Sequence, residues 1–290
     1  MRERGTRRIR LIAGCLALLA VLAGSPLPVA AGDGVMDRSL EELAEMGLSA
    51  PPANVEVSTA AKFQQSAART PTPVYVVTAE DIRTFGYRDL GEILRSLPGL
   101  YVTNDYRSHY LGIRGFGLPG DYNTRVLILL DGERVNETFY DSAQVGTTFP
   151  VDVDLIERVE YVPGPGSAIY GSNAFFGVVN VMTKRGHAID GVELSGEYGS
   201  FDTYKARASF GQRFDNGADL LLSATRYDRG GAKRPYYRDR GVLAGDEDSA
   251  LGLDYDRTDS AFAKWSYGSF TLEGGHLDRV TGLPPFVFDG

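Results

Sequence analysis

Two hydrophobic rhythms divide the chain. Between Pro73 and Gly186, short apolar runs alternate with helical periodicity; after Gly186 the apolar side chains fall on every second residue. In the first part, Val74–Val77 reads as a strand, and Thr78-Ala79-Glu80-Asp81 opens a helix that Gly86 ends. Asp89 or a neighbour caps a second helix carrying Leu90, Ile93, Leu94 and Leu97, and Pro98-Gly99 stops it. Strands are expected at Leu100–Thr103, Tyr110–Arg114, Arg125–Leu130, Glu133–Val135, Glu157–Val162 and Gly177–Thr183, with Asp131-Gly132 as a hairpin turn. Roughly 110 residues of this texture make an α+β domain large enough for its own core.

The second rhythm has period 2. Val192, Leu194, Gly196 and Tyr198 alternate with Glu193, Ser195 and Glu197; Tyr204, Ala206, Ala208 and Phe210 alternate with Lys205, Arg207 and Ser209. Leu220, Leu222 and Ala224 follow, then Ala261, Ala263, Trp265 and Tyr267, then Phe270 and Leu272. Leu221 and Phe262 break the alternation. Connections are short at Gly199–Asp202, Phe214–Gly217 and Tyr267–Ser269 and long at Asp228–Arg257. Ladders of this kind, with aromatics near their ends and loops of unequal length at the two ends, are the pattern of an outer-membrane β-barrel. A soluble β-sandwich is the rival reading, and it does not need alternate loops to differ so much.

Ahead of both parts lies a polar, Pro/Ala-rich lead over residues 32–72. It holds one helical island at Ser39–Met46, with a capping-box pattern, and one short β-prone island at Asn54–Thr59. The first 31 residues read as a secretory signal: Arg2, Arg4, Arg7, Arg8 and Arg10 precede the apolar Leu11–Leu22 and the small Val29-Ala30-Ala31. A membrane anchor and lipidation at Cys15 are the alternatives. The apolar run is short for a span and most of it follows Cys15.

Composition narrows the function. Residues 1–31 carry five Arg and one Glu, so the remainder holds a net charge of −12 against −8 for the whole chain. An acidic chain without a basic stripe is a poor partner for nucleic acid. Cys15 is the only cysteine and falls in the signal, while His109, His187 and His276 are scattered singly, so no thiolate or histidine metal site is expected. The Gly/Pro-rich turn at Gly164–Gly171 lacks the Gly-Lys-Ser/Thr ending and the spacing of a phosphate loop. No Ser/His/Asp set with a supporting context occurs, so neither catalytic residues nor a cofactor is expected.

Several segments together resemble the TonB-dependent receptors of the Gram-negative outer membrane. They are Pro73–Asp81 (PVYVVTAED), Leu90–Gly99 (LGEILRSLPG), Gly112–Phe116 (GIRGF), Val126–Val135 (VLILLDGERV) and Ile156–Lys184. The resemblance implies an α+β plug domain at 73–186, followed at 187–290 by the first strands, about five, of an incomplete outer-membrane β-barrel. That family's barrel has about 22 strands and a plugged lumen, so the sequence is read as the N-terminal part of a longer receptor. One departure stands out: where the family has Arg-Gly-Pro in the late turn, this chain has Pro163-Gly164-Pro165.

The implied activity is import of a scarce ligand, of the ferric siderophore or cobalamin class, driven from the inner membrane by TonB. TonB would bind by β-strand addition to an exposed, unpaired strand, and Asn54, Val55, Glu56, Val57, Ser58 and Thr59 form the TonB-box-like candidate; plain linker is the rival reading. Candidate ligand contacts are Tyr106, Arg107, His109, Tyr110 and Tyr122, on loops that a rigid scaffold would present to a metal-chelate or cobalamin-type molecule. Arg114, Glu157, Arg158 and Glu160 are the candidate contacts between plug and barrel, with a solvated strand face as the alternative. Outer-membrane lipid is the expected surround. A surface-signalling receptor and a secreted soluble binding module are the other functional readings.

Overall fold

The computed structural model describes residues 56–57, 59, 65–66, 72–104, 108–117, 122, 124–142, 144–231 and 254–282. The signal, the Ser39–Met46 helix and most of the lead fall outside them.

Local chemistry sets the first helices. Thr78 caps α1 (Ala79–Phe85): its hydroxyl accepts from the Asp81 N–H, and the Asp81 carboxylate accepts from the Thr78 N–H at 2.8 Å. Gly86 ends the helix in the left-handed region at φ 66°, which costs glycine little. Asp89 caps α2 (Leu90–Ser96) by accepting from the Glu92 N–H at 2.8 Å, and the helix turns Leu90, Ile93 and Leu94 into the core.

Two short ladders accompany the main plug sheet. β1 (Glu56–Val57) pairs antiparallel with β2 (Gln65–Ser66). β4 (Leu100–Asn104) pairs with β5 (His109–Ile113). The plug sheet has the order β3-β8-β9-β6-β7, with β3 at Tyr75–Thr78, β6 at Val126–Leu130, β7 at Glu133–Arg134, β8 at Ile156–Pro163 and β9 at Gly177–Thr183. All its pairings are antiparallel except β6 with β9. Every residue of β6 is buried, as expected of a strand covered on both faces. Asp131 and Gly132 both take positive φ, 50° and 93°, the geometry of a tight hairpin turn between β6 and β7. The register of β8 against β9 slips between Ile156 and Arg158, so Glu157 sits at a bulge. A short helix α3 (Ser167–Tyr170) lies in the Gly/Pro turn between β8 and β9.

The wall follows as a five-stranded antiparallel meander: β10 (Gly191–Gly199), β11 (Thr203–Arg213), β12 (Asp219–Arg229), β13 (Asp256–Tyr267) and β14 (Phe270–Thr281). Its first and last strands are not paired to each other, so the sheet is unclosed. The face carrying Val192, Leu194, Tyr204, Trp265 and Leu272 is exposed, and the face carrying Arg207, Ser209, Ser223, Thr258 and Lys264 is buried against the plug.

Leu221 and Phe262, which interrupt the alternation, lie on the buried face at 0% and 5% exposure and join the core cluster of the plug. The breaks in the pattern are apolar contacts from wall to plug. Where the chain passes from plug to wall, the backbones come very close. A Cβ on Gly186 would lie 2.0 Å from the Leu220 carbonyl oxygen, and one on Gly211 would lie 2.4 Å from that of Gly186. Only glycine fits at either position.

Candidate functional site

Three regions carry candidate function: the described part of the lead, the ion-paired contact between plug and wall, and a hollow between them.

In the lead, Val57 and Thr59 are 0% and 1% exposed. The buried Glu160 on β8 accepts from the Thr59 N–H at 3.0 Å and from its hydroxyl at 2.6 Å, and the Tyr170 hydroxyl donates to the Thr59 carbonyl at 2.7 Å. Arg158 holds the other oxygen of Glu160 through Nε at 2.9 Å. A buried carboxylate is stable only with such partners. Burial, with the Glu160 charge adding to it, raises the Tyr170 pKa, so this hydroxyl stays a donor. The expectation of an exposed, unpaired strand therefore fails for Glu56, Val57 and Thr59: β1 is paired with β2, and Thr59 is clamped to the plug. The sequence concealed this because the clamping groups lie 101 and 111 residues away. Asn54, Val55 and Ser58 lie outside the described residues.

The contact between plug and wall is electrostatic. Asp131 meets Lys264 of β13 at 2.9 Å, and Lys264 also donates to the Thr183 hydroxyl at 3.0 Å. Asp152 meets Lys205 of β11 at 3.0 Å, and Asp154 lies 3.5 Å from both Lys205 and Arg207. Arg207 also pairs with Glu193 of β10. Asp219 of β12 accepts from the Gly186 N–H at 2.5 Å and contacts His187 Nδ1 at 2.7 Å, which fastens the exit of the plug. Removing one partner from a buried pair of this kind costs about 3–5 kcal/mol.

The described contacts of the four residues expected to join plug to barrel lie within the plug, apart from the Glu160 contact to Thr59 of the lead. Glu157, on the bulge, pairs with Arg158 at 3.3 Å, Arg158 pairs with Glu160, and the Arg114 N–H donates to the Gly99 carbonyl at 2.8 Å with Arg114 at φ 50°. The residues of the plug and its exit that make polar contacts with the five described strands instead include Asp131, Thr147, Asp152, Asp154, Thr183, Gly186 and His187. Strand parity put Lys205, Arg207 and Lys264 on the inward face of the wall, but no sequence signal names the acid that each one meets.

The candidate ligand residues divide. His109 and Tyr110 are both half-buried on β5, where the His109 ring lies 3.1 Å from Asn104 Nδ2. Burial pushes the His109 pKa below the usual imidazole value, outweighing the pull of Asp89 and Asp256. Tyr122 lies in a separate exposed group: it stacks on Tyr140 at 4.6 Å, and Phe139 meets Tyr140 edge-on at 4.5 Å. Tyr106 and Arg107 lie outside the described residues. The hollow, about 650 Å³, separates α2 and the loop end of the β4–β5 hairpin from the inner faces of β10–β14, and His109 lines it.

Residues 66–178 match the family model of the TonB-dependent receptor plug domain. Solved structures share the architecture. The ferripyoverdine receptor of the outer membrane of Pseudomonas aeruginosa aligns with a TM-score of 0.57 at 16% identity, covering 78% of this chain and 27% of its own. The ferric-catecholate import receptor of E. coli K12 gives 0.55 at 18% identity, covering 80% of this chain and 30% of its own. The alcaligin outer membrane receptor of Bordetella pertussis gives 0.51 at 20% identity, covering 77% and 35%. This chain thus spans well under half the length of each. It carries a TonB-dependent receptor plug domain, followed by antiparallel wall strands in the arrangement of that class of receptors.

Proposed function

We propose that the chain is the N-terminal part of a Gram-negative outer-membrane receptor that imports a scarce small molecule with energy supplied by TonB. The observation that carries this is the inverted wall: its apolar face is turned away from the protein while its polar face is ion-paired to a plug. Such a sheet needs an apolar medium outside it. Aromatic residues mark two levels on the outward face, Tyr198 with Tyr204 at one end and Trp265, Tyr267 and Phe270 at the other. Tyr204 pairs with Asp228 and Trp265 with Leu220. The eight-residue step between those partners on β12 is about 26 Å along the strand. At a tilt near 40° that becomes about 20 Å of height, close to the roughly 25 Å apolar band of such barrels.

In this reading residues 1–31 are a secretory signal, 32–72 a periplasmic lead, 73–186 the plug and 187–290 the opening strands of the barrel. The receptors with similar architecture are named for ferripyoverdine, ferric catecholates and alcaligin, which favours a ferric siderophore over cobalamin as cargo. TonB adds as a strand to Asn54–Thr59, which must first leave β2 and the Glu160 clamp. His109, Tyr110 and Tyr122 are offered to cargo from the plug.

Uptake of radiolabelled ferric siderophore by cells, beside binding at the cell surface, tests the reading. Deleting Asn54–Thr59 should abolish uptake and leave surface binding intact. Undiminished uptake, or loss of both, would overturn the assignment of that segment.

A further inference from the structure

The hollow between α2 and the wall is lined by charge that is almost entirely committed. Glu92 holds Arg88, Asp152 holds Lys205, Asp254 holds Arg229, and Asp256 holds Arg279. Asp89 spends one oxygen on capping α2. Arg95 is different. It projects from the exposed side of α2, its NH2 reaches the Val102 carbonyl at 3.3 Å, and among the described residues it forms no ion pair. From the wall side, Thr258 of β13 enters the same hollow. It is 7% exposed and its hydroxyl has no hydrogen-bond partner. A buried hydroxyl left without a partner costs about 1–3 kcal/mol, so such a group calls for a polar occupant. The Tyr227 ring lies on the same inner face.

We infer that this hollow is a binding site for a small carboxylate-bearing molecule, with the acid group on Arg95 and its organic body toward Thr258 and Tyr227. Arginine presents a planar fork that matches a carboxylate, and the threonine hydroxyl can donate to a further acceptor of the same molecule. A cation such as Arg95, which forms no ion pair among the described residues, gives a second anion a site without displacing an existing pair. Glu92, Asp152, Glu197, Asp254 and Asp256 each hold another cation and so do not compete for Arg95, and Asp89 is engaged by the Glu92 N–H. A neutral molecule of the same shape would leave the guanidinium uncompensated. The volume of about 650 Å³ admits a molecule considerably larger than the acid group alone. That the occupant is cargo in transit rests on the import reading; the binding itself does not.

The test uses the complete receptor in detergent, titrated calorimetrically with benzoate, with benzamide, and with inorganic phosphate. Benzoate should bind saturably, one per receptor, and benzamide and phosphate at least tenfold more weakly. Arg95→Gln should weaken benzoate roughly 10–100-fold, as expected for a charge-assisted hydrogen bond. Arg95→Lys, which keeps the charge and loses the fork, should fall between. No saturable benzoate binding, equal binding of benzamide or phosphate, or an Arg95→Gln receptor that binds like wild type would each overturn the site. The uptake assay separates the two claims. Lost benzoate binding together with abolished uptake on deleting Asn54–Thr59 sinks only this site. Retained Arg95-dependent binding with undiminished uptake sinks only the import reading.

Discussion

β6 of the plug buries all five of its side chains, Val126 to Leu130, in protein, whereas β10 of the wall turns Val192 and Leu194 away from protein at 73% and 74% exposure. The polar side chains reverse in the same way. Most charges of the plug lie on its surface, but Arg207 and Lys264 of the wall are buried at 4% and 9% exposure, between sheet and plug. Hydrophobic patterning therefore reports which face meets an apolar medium, not which face is inside the protein. For the plug that medium is its own core; for the wall it is supplied from outside. The contact between them is consequently not a core in the usual sense. It is a layer of ion pairs pinned by two apolar side chains, Leu221 and Phe262.

The sharpest way to break this comparison uses one residue type on the two faces of the wall. Leu221→Ala should cost about 2–5 kcal/mol, since a close-packed contact relaxes only partly around the lost atoms. Under the membrane reading, Leu272→Ala, on the outward face at 62% exposure, should lose the transfer term alone, because lipid chains would fill the space. Hydrogen exchange of the plug amides distinguishes them: Leu221→Ala should speed exchange in β8 and β9, and Leu272→Ala should leave it unchanged. Equal effects would mean that the two faces do not differ as described. A somewhat smaller effect is expected from Leu194→Arg. Leu194 shares a cross-strand row with Ala208, Ala224 and Ala261, midway between the two aromatic levels. An arginine at that depth should cost about 2–4 kcal/mol in folding titrations in lipid vesicles. A cost near zero would take the lipid away from this face.

Elements whose signals are local were legible in the sequence. Thr78 and Asp89 as caps, Gly86 as a stop and Asp131-Gly132 as a turn act within a few residues, and each appears where those residues stand. The wall strands were legible because period 2 persists over about ten residues at a time. Long-range partnerships were not. Thr59 has the composition of a linker residue, and only the folded plug brings Glu160 and Tyr170 onto it. Leu221 and Phe262 looked like noise in the alternation because their meaning depends on a plug surface that the wall sequence does not contain. Arg95 is the same case: on α2 it reads as an ordinary exposed helix residue, and the hollow opposite it is formed by strands more than a hundred positions later.

The finest way to sharpen the comparison is pH. His109 lies at the edge of the plug, where burial, helped by Arg279 and Arg95, outweighs the pull of Asp89 and Asp256 toward the charged form and lowers its pKa. The unfolded chain takes up that proton near the ordinary imidazole value of about 6.5, while the native plug resists it. Over that interval the unfolded state binds more protons, so stability rises with pH. The contribution is complete above about pH 6.5, falls as pH drops toward the depressed native value, and levels off below it. Exchange protection of the β5 amides, corrected for intrinsic rates between pH 7.5 and 5, should therefore decline over this range. His109→Asn should flatten the decline. The amides of β12 away from its His187–Asp219 contact should show no such slope, because the outward apolar contacts of the wall carry no group that titrates there. A parallel loss of protection in β5 and β12 would mean that plug and wall yield together, and the separation of a protein-packed plug from a lipid-supported wall would not survive it.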